Sequence, residues 1–256
     1  MPEVRPKKHL GQHFLTDKRI AQRITDSLLA NGCDTVLEVG PGMGVLTFGL
    51  FERFGSKLKA VEVDAESVGY IRRNLPELNL IEADFLKIDL RGLSMGKFAV
   101  IGNLPYNISS QIFFRIIENR DFIPEVVAMV QREVAQRIAE KPGSRTYGIL
   151  SVLLQAFYDI EYLFTVSEGC FTPPPKVKSA VIRLKRNSTK DLGCSYVMFE
   201  RVVKAAFNQR RKTLRNSIRS AFSGIELSET YGTKRAEQLS VADFVGLTLE
   251  IQRLIR

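Results

Sequence analysis

The chain predicts an α/β fold, a doubly wound and mostly parallel sheet followed by a small all-α domain. One observation is a buried apolar strand at residues 35–39 that runs into Gly40-Pro41-Gly42-Met43-Gly44 and then an amphipathic helix. A second is that apolar strands and helical patterns keep alternating to about residue 130, the order that gives a parallel sheet. The third is that no strand-like run follows Ser195. With 256 residues, 45% of them hydrophobic, the chain has room for one α/β domain of ordinary size and an accessory domain.

A basic N-terminal segment leads to a helix expected to be capped by Thr16, with Ile20, Ile24 and Leu28 on one face. The helix after the glycine turn is expected from residue 45 to about 54. Strands follow at 58–64, 78–81, 98–101 and 125–130, and helices at 133–138 and 147–156 flank the basic loop 141–145. Two more strands, at 159–166 and 179–186, are expected to pair as an antiparallel edge and bring the sheet to seven strands. Residues 187–190 are polar and read as a linker, so the domains are drawn at 1–187 and 195–256. The prolines 173–175 make a stiff loop.

The chemistry collects where these strands end. Glycines at 40, 42 and 44 supply positive φ and remove side-chain bulk, so a nucleoside-type cofactor can lie against the turn. Glu62 stands 22 residues beyond Gly40, the distance at which a second-strand acid meets a ribose diol. A dinucleotide site is the competing reading, but its fingerprint needs glycine where Val45 stands. The observed spacing fits S-adenosylmethionine, which has no pyrophosphate. Asp84 is placed to accept from the cofactor adenine amino group, and Phe85 to cover its ring. After the strand 98–101 comes Gly102-Asn103-Leu104-Pro105-Tyr106. The Asn103 side-chain oxygen and the Leu104 carbonyl offer two acceptors to an exocyclic amine, Pro105 stiffens the turn, and Tyr106 offers a stacking face. That arrangement suits methylation of adenine N6.

With these motifs the chain resembles the KsgA-type rRNA adenine N6,N6-dimethyltransferases over nearly its whole length. Further matching segments are Lys8 to Leu15 (KHLGQHFL), Asn107-Ile108-Ser109-Ser110, Phe171 to Val177 (FTPPPKV) and Ala206 to Thr213 (AFNQRRKT). The resemblance implies a Rossmann-like class I S-adenosylmethionine-dependent methyltransferase. It adds His13 and Leu15 to Gly40, Gly42, Glu62, Asp84, Phe85 and Asn103 as cofactor contacts, and sets Phe171 opposite Tyr106 across the target base. The commonest bacterial pattern has Asn where this chain has His13. The implied reaction is dimethylation of two adjacent adenosines in the hairpin loop near the 3′ end of 16S rRNA, in the precursor of the small ribosomal subunit. A checkpoint role in subunit biogenesis goes with it. The alternative is a non-catalytic RNA-binding assembly or transcription factor on the same fold.

A net charge of +9 points to a polyanion partner, and its distribution sharpens this. Arg210, Arg211, Lys212, Arg215 and Arg219 fall in a stretch without an acid. On one continuous helix Arg211, Arg215 and Arg219 would share a face, extended backwards by Lys204 and Arg201. These seven cations are the expected RNA contacts. Three scattered cysteines without CxxC spacing argue against a disulfide framework or a zinc site, and no metal is expected. No apolar run is long enough for a membrane helix and the polar start lacks a signal-peptide core, so a soluble, cytoplasmic protein is expected; a monomer is expected separately from these features.

Overall fold

The structure is a computed structural model and describes residues 4–255. In chain order the strands are β1 (Phe14–Leu15), β2 (Thr35–Val39), β3 (Leu58–Glu62), β4 (Asn79–Glu82), β5 (Phe98–Asn103), β6 (Glu125–Gln131), β7 (Tyr158–Val166), β8 (Phe171–Thr172) and β9 (Ser179–Arg186). The helices are α1 (Lys18–Ser27), α2 (Thr47–Phe54), α3 (Ala65–Asn74), α4 (Ser109–Glu118), α5 (Arg132–Ala139), α6 (Ile149–Gln155), α7 (Tyr196–Asn208), α8 (Leu214–Arg219), α9 (Glu229–Gly232) and α10 (Val241–Ile255).

Seven strands form one sheet in the order β4-β3-β2-β5-β6-β9-β7. The pairs β4/β3, β3/β2, β2/β5 and β5/β6 are parallel. β9 runs antiparallel to β6 from Glu125↔Lys185 to Gln131↔Ser179, and β7 lies outside it. The central strands β2, β5 and β6 are buried almost throughout, as expected for strands covered on both faces. Strand order reverses between β2 and β5, the position at which doubly wound sheets open a crevice at their carboxyl ends.

Local physics moved several boundaries. Asp17, not Thr16, caps α1: its carboxylate accepts from the Arg19 and Ile20 amides at 2.9 and 3.3 Å. The Thr16 hydroxyl instead donates to the Cys170 carbonyl at 3.0 Å. Replacing Asp17 with Ala is therefore expected to lower the denaturant midpoint, and an unchanged midpoint would remove the capping role. β3 stops at Glu62 because Asp64 turns to cap α3 through the Glu66 amide. β5 continues through Asn103, two residues beyond the apolar run. The two-residue strands β1 and β8 pair antiparallel, Leu15 opposite Phe171, and are too short to leave a periodic signature.

The chain forms two compact units, Met1–Ala135 with Ile160–Arg186, and Gln136–Asp159 with Asn187–Arg256. The expected linker at 187 falls at one crossing, but the sequence-drawn line did not assign 136–159 to the second unit. Within that unit the Gly143 amide donates to the Glu237 carbonyl at 2.6 Å, and Tyr147 meets Phe207 edge-on at 6.2 Å. Phe199, Val203, Leu214, Ile218, Phe244 and Leu247 are buried there. Among the described residues no helix is long and apolar enough to cross a membrane.

Candidate active site

A cavity of about 290 Å³ opens at the carboxyl ends of β2, β3 and β5. The turn after β2 forms its floor. Gly40 has φ +68° with open space beside it, so the position needs glycine for its backbone angle. Gly42 has φ +55°, and a Cβ there would stand 3.0 Å from the Phe14 ring. Its amide donates to Glu62 Oε2 at 3.1 Å, while Glu62 Oε1 accepts from the Val63 and Asp64 amides at 2.9 Å each. Three of the carboxylate's roughly four acceptor positions are thus filled, leaving one on Oε2. Burial raises the Glu62 pKa, and these three amides work against that rise.

Asp84 also lines the cavity; its Oδ1 accepts from the Leu86 amide at 2.9 Å. Phe85, expected to cover the cofactor adenine, is instead 4% exposed and packed inward, and Leu86 takes the place on the cavity wall. The tight bend after Asp84, with the Lys87 and Ile88 amides both on its carbonyl, accounts for the exchange.

Asn103, at the end of β5, donates from Nδ2 to the His13 carbonyl at 2.9 Å. With its nitrogen engaged, Oδ1 is the atom left to accept. The Leu104 amide donates to the Met129 carbonyl at 3.0 Å and the Ile108 amide to the Pro105 carbonyl at 3.2 Å, so main-chain bonds fix the loop at both ends. The Tyr106 hydroxyl is bonded to that of Ser179, and burial raises its pKa.

The β1/β8 pairing sets Phe171 beside Leu15, 3% exposed, and a ring that lies against Tyr106 is His13, with centroids 5.3 Å apart. Leu15 itself lines the cavity, as does His13. Residues 9–15 form one wall. The segment is tethered by Lys7, whose ammonium pairs with Asp64, and by Gln12, which donates to Asp64 at 3.3 Å. Burial would raise the Asp64 pKa, but Lys7, Ser67 and Gln12 hold it below the ordinary value. Residue patterning gave no hint of this strap beyond the two positions implied by resemblance.

Glu38 was also missed, although an acid inside an otherwise apolar strand is a visible signal. It is 1% exposed, lines the cavity, and its Oε2 has no hydrogen-bond partner among the described residues. Burial pushes its pKa up to about 8; the Thr47 hydroxyl offsets this in part and Glu62 adds to it. A carboxyl raised on folding contributes stability that is present below its ordinary value and lost as pH rises towards about 8. Without cofactor, Glu38→Gln should therefore flatten the fall in stability across that window. Parallel pH profiles of chemical denaturation for the two proteins would contradict the assignment.

The basic residues of the second unit do not form the expected continuous stripe. α7 ends at Asn208 and α8 starts only at Leu214, so the register between Arg201, Lys204 and the later arginines is broken. Lys204 pairs with Glu200 at 2.6 Å, Arg215 pairs with Glu229, and Arg210 donates to the Tyr147 carbonyl at 2.9 Å. Arg201 donates to the Ala221 carbonyl at 3.1 Å and lies over Phe222. Arg211, Lys212 and Arg219 are exposed and make no ion pair among the described residues.

The sheet order, with β9 inserted antiparallel beside β6, and the cavity at the switch point define a class I S-adenosylmethionine-dependent methyltransferase. Solved structures share this fold. A dimethyladenosine transferase from Plasmodium falciparum superposes with TM-score 0.78 at 23% identity, covering 94% of this chain and 98% of that one. The 23S rRNA methyltransferase ErmE gives 0.66 at 24% identity, covering 93% and 99%. The residues present fit the cofactor: open space beside Gly40, one acceptor position left on Glu62, and a partnerless Glu38 oxygen at the cavity.

The chain belongs to the ribosomal RNA adenine dimethylase family, whose sequence profile matches residues 4–253. It is similar to "Ribosomal RNA small subunit methyltransferase A" of Parabacteroides distasonis, at 57% identity over 98% of this chain and 95% of that one. The protein of the same name from Bacteroides thetaiotaomicron is 56% identical over 100% and 97%. The enzyme thus dimethylates adenine in rRNA with S-adenosylmethionine as methyl donor.

Proposed function

We propose that the protein dimethylates, at N6, two adjacent adenosines in the hairpin loop near the 3′ end of 16S rRNA, acting as a monomer on the immature small subunit in the cytoplasm. The observation that carries the chemistry is the Asn103 amide, whose nitrogen is held by the His13 carbonyl so that its oxygen is the free acceptor at the cavity. The small-subunit assignment is supported by the names of the bacterial relatives. In this reading the protein also acts as a checkpoint in subunit assembly.

When bound, S-adenosylmethionine supplies an electrophilic methyl group. The chain's own residues prepare the nucleophile. The adenine amine is weak because its lone pair is delocalised into the ring. Asn103 Oδ1 and the Leu104 carbonyl accept its N–H bonds and hold it pyramidal, and Tyr106 supports the ring face. Positioning of this kind contributes on the order of 7–11 kcal/mol. No strong base is required, since the methylated amine is acidic enough to lose its proton to water. A base inside a duplex cannot enter, so the adenine is flipped or comes from a loop. Position-resolved mapping of methyl label on small-subunit particles tests the reading; label confined to other rRNA positions would overturn it.

RNA contacts in this proposal come from the second unit, with Arg211, Lys212 and Arg219 leading because their charges are not neutralised locally. Arg201, Lys204, Arg210 and Arg215 contribute less, each being engaged by the protein. Replacing the first three by Gln should weaken RNA binding, with each lost phosphate contact removing about 0.7–0.9 from the slope of log K against log salt. Arg215→Gln should change the slope less. An unaltered slope in the triple variant would show that these side chains face solvent in the complex.

A further inference from the structure

We propose that His13 is a plug at the target-base site: its imidazole occupies the stacking place on Tyr106, and only a base that displaces it reaches the methylation site. The inference rests on the reading that the target adenine stacks on Tyr106. Four observations carry it. The two rings lie 5.3 Å apart between centroids, with planes 29° apart. A ring inserted between them would need two stacking contacts of about 3.5 Å each, roughly 7 Å in all, so the base cannot slip in while the imidazole stays. The imidazole is held from behind: Nδ1 lies 2.8 Å from the Pro173 carbonyl and therefore carries the hydrogen that it donates. The opposing ring is fixed as well, because the Tyr106 hydroxyl is bonded to Ser179.

Phe171, the other aromatic that could fill this place, is in the core at 3% exposure. His13 thus presents two separable functions. Its main-chain carbonyl accepts from Asn103, a contact that any substitution keeps, while its ring lies against Tyr106. Displacing the ring costs one hydrogen bond and one stacking contact. An adenine that stacks on Tyr106 and also satisfies Asn103 and Leu104 recovers that cost, whereas a base lacking the exocyclic amine recovers only the stack. The ring therefore sets a cost that every entering base must meet and keeps the slot filled in the absence of RNA.

The test is steady-state methylation of hairpin RNA by the full chain, with cofactor affinity measured by calorimetry alongside. His13→Ala empties the slot and should lower KM for RNA by about three- to tenfold, the fold-change of a lost aromatic contact. His13→Phe keeps a ring on Tyr106 and should not lower KM. A KM at or above that of the native protein for His13→Ala would overturn the proposal, since the ring would then be holding the base. If His13→Ala loses the cofactor, His13→Asn, which has no ring, gives the same reading: a lowered KM supports the proposal and an equal or raised one overturns it. Failure of the underlying reading looks different, because Tyr106→Ala would then methylate at the native rate.

Discussion

Asn103→Ala is expected to lower kcat for methyl transfer by about 10²–10³-fold, the effect of removing one preorganised polar group aimed at the reacting centre. The cavity, the sheet and Tyr106 should be unaffected, because the Asn103 main chain stays paired in β5 opposite Met129. The loss should fall mainly in kcat, since the amide acts on an amine whose charge changes only as the new bond forms. The side chain also anchors residue 13 through its carbonyl, so cofactor affinity should fall more modestly. Single-turnover kinetics with saturating cofactor separates the two. A variant that methylates at the full rate would remove Asn103 from the chemistry.

Glu62→Ala should weaken cofactor binding by roughly 2–3 kcal/mol, about 30- to 150-fold in Kd, because a buried ribose hydroxyl loses its acceptor. The variant also leaves the Gly42, Val63 and Asp64 amides without their carboxylate, so some loosening of the glycine turn adds to the loss. Glu62→Gln keeps an acceptor oxygen and should fall between the native protein and the Ala variant. Unchanged affinity by calorimetry, in a folded Glu62→Ala protein, would exclude the acid from the cofactor site.

How much could be read from the sequence depended on range. β2, the turn at Gly40 to Gly44, Glu62 and the Asn103 to Tyr106 loop were legible because each lies within a few residues of a strand end, and the period of a buried strand says where that end is. The antiparallel insertion of β9 was legible only in part: the edge was expected, but not that β9 would stand between β6 and β7. Phe85 was misplaced because strand period says nothing of the tight bend after Asp84, which turns Phe85 inward and puts Leu86 on the cavity wall. The basic residues were read as one stripe because helical spacing says nothing about where a helix breaks. The break after Asn208, and acids as distant as Glu229, decide which cations remain available. Glu38 was passed over because strand patterning counts an acid in an apolar run as an exception, when its burial is the informative fact.

The most direct test of the account is nucleoside mass spectrometry of 16S rRNA after exhaustive reaction with the purified protein and S-adenosylmethionine. A neutral Asn103 acceptor leaves room for the amine to turn after its first methyl group and present its remaining N–H bond again. The account predicts N6,N6-dimethyladenosine at two adjacent loop positions as the end product. A reaction that stops at N6-methyladenosine, or that leaves those positions unmodified, would contradict it.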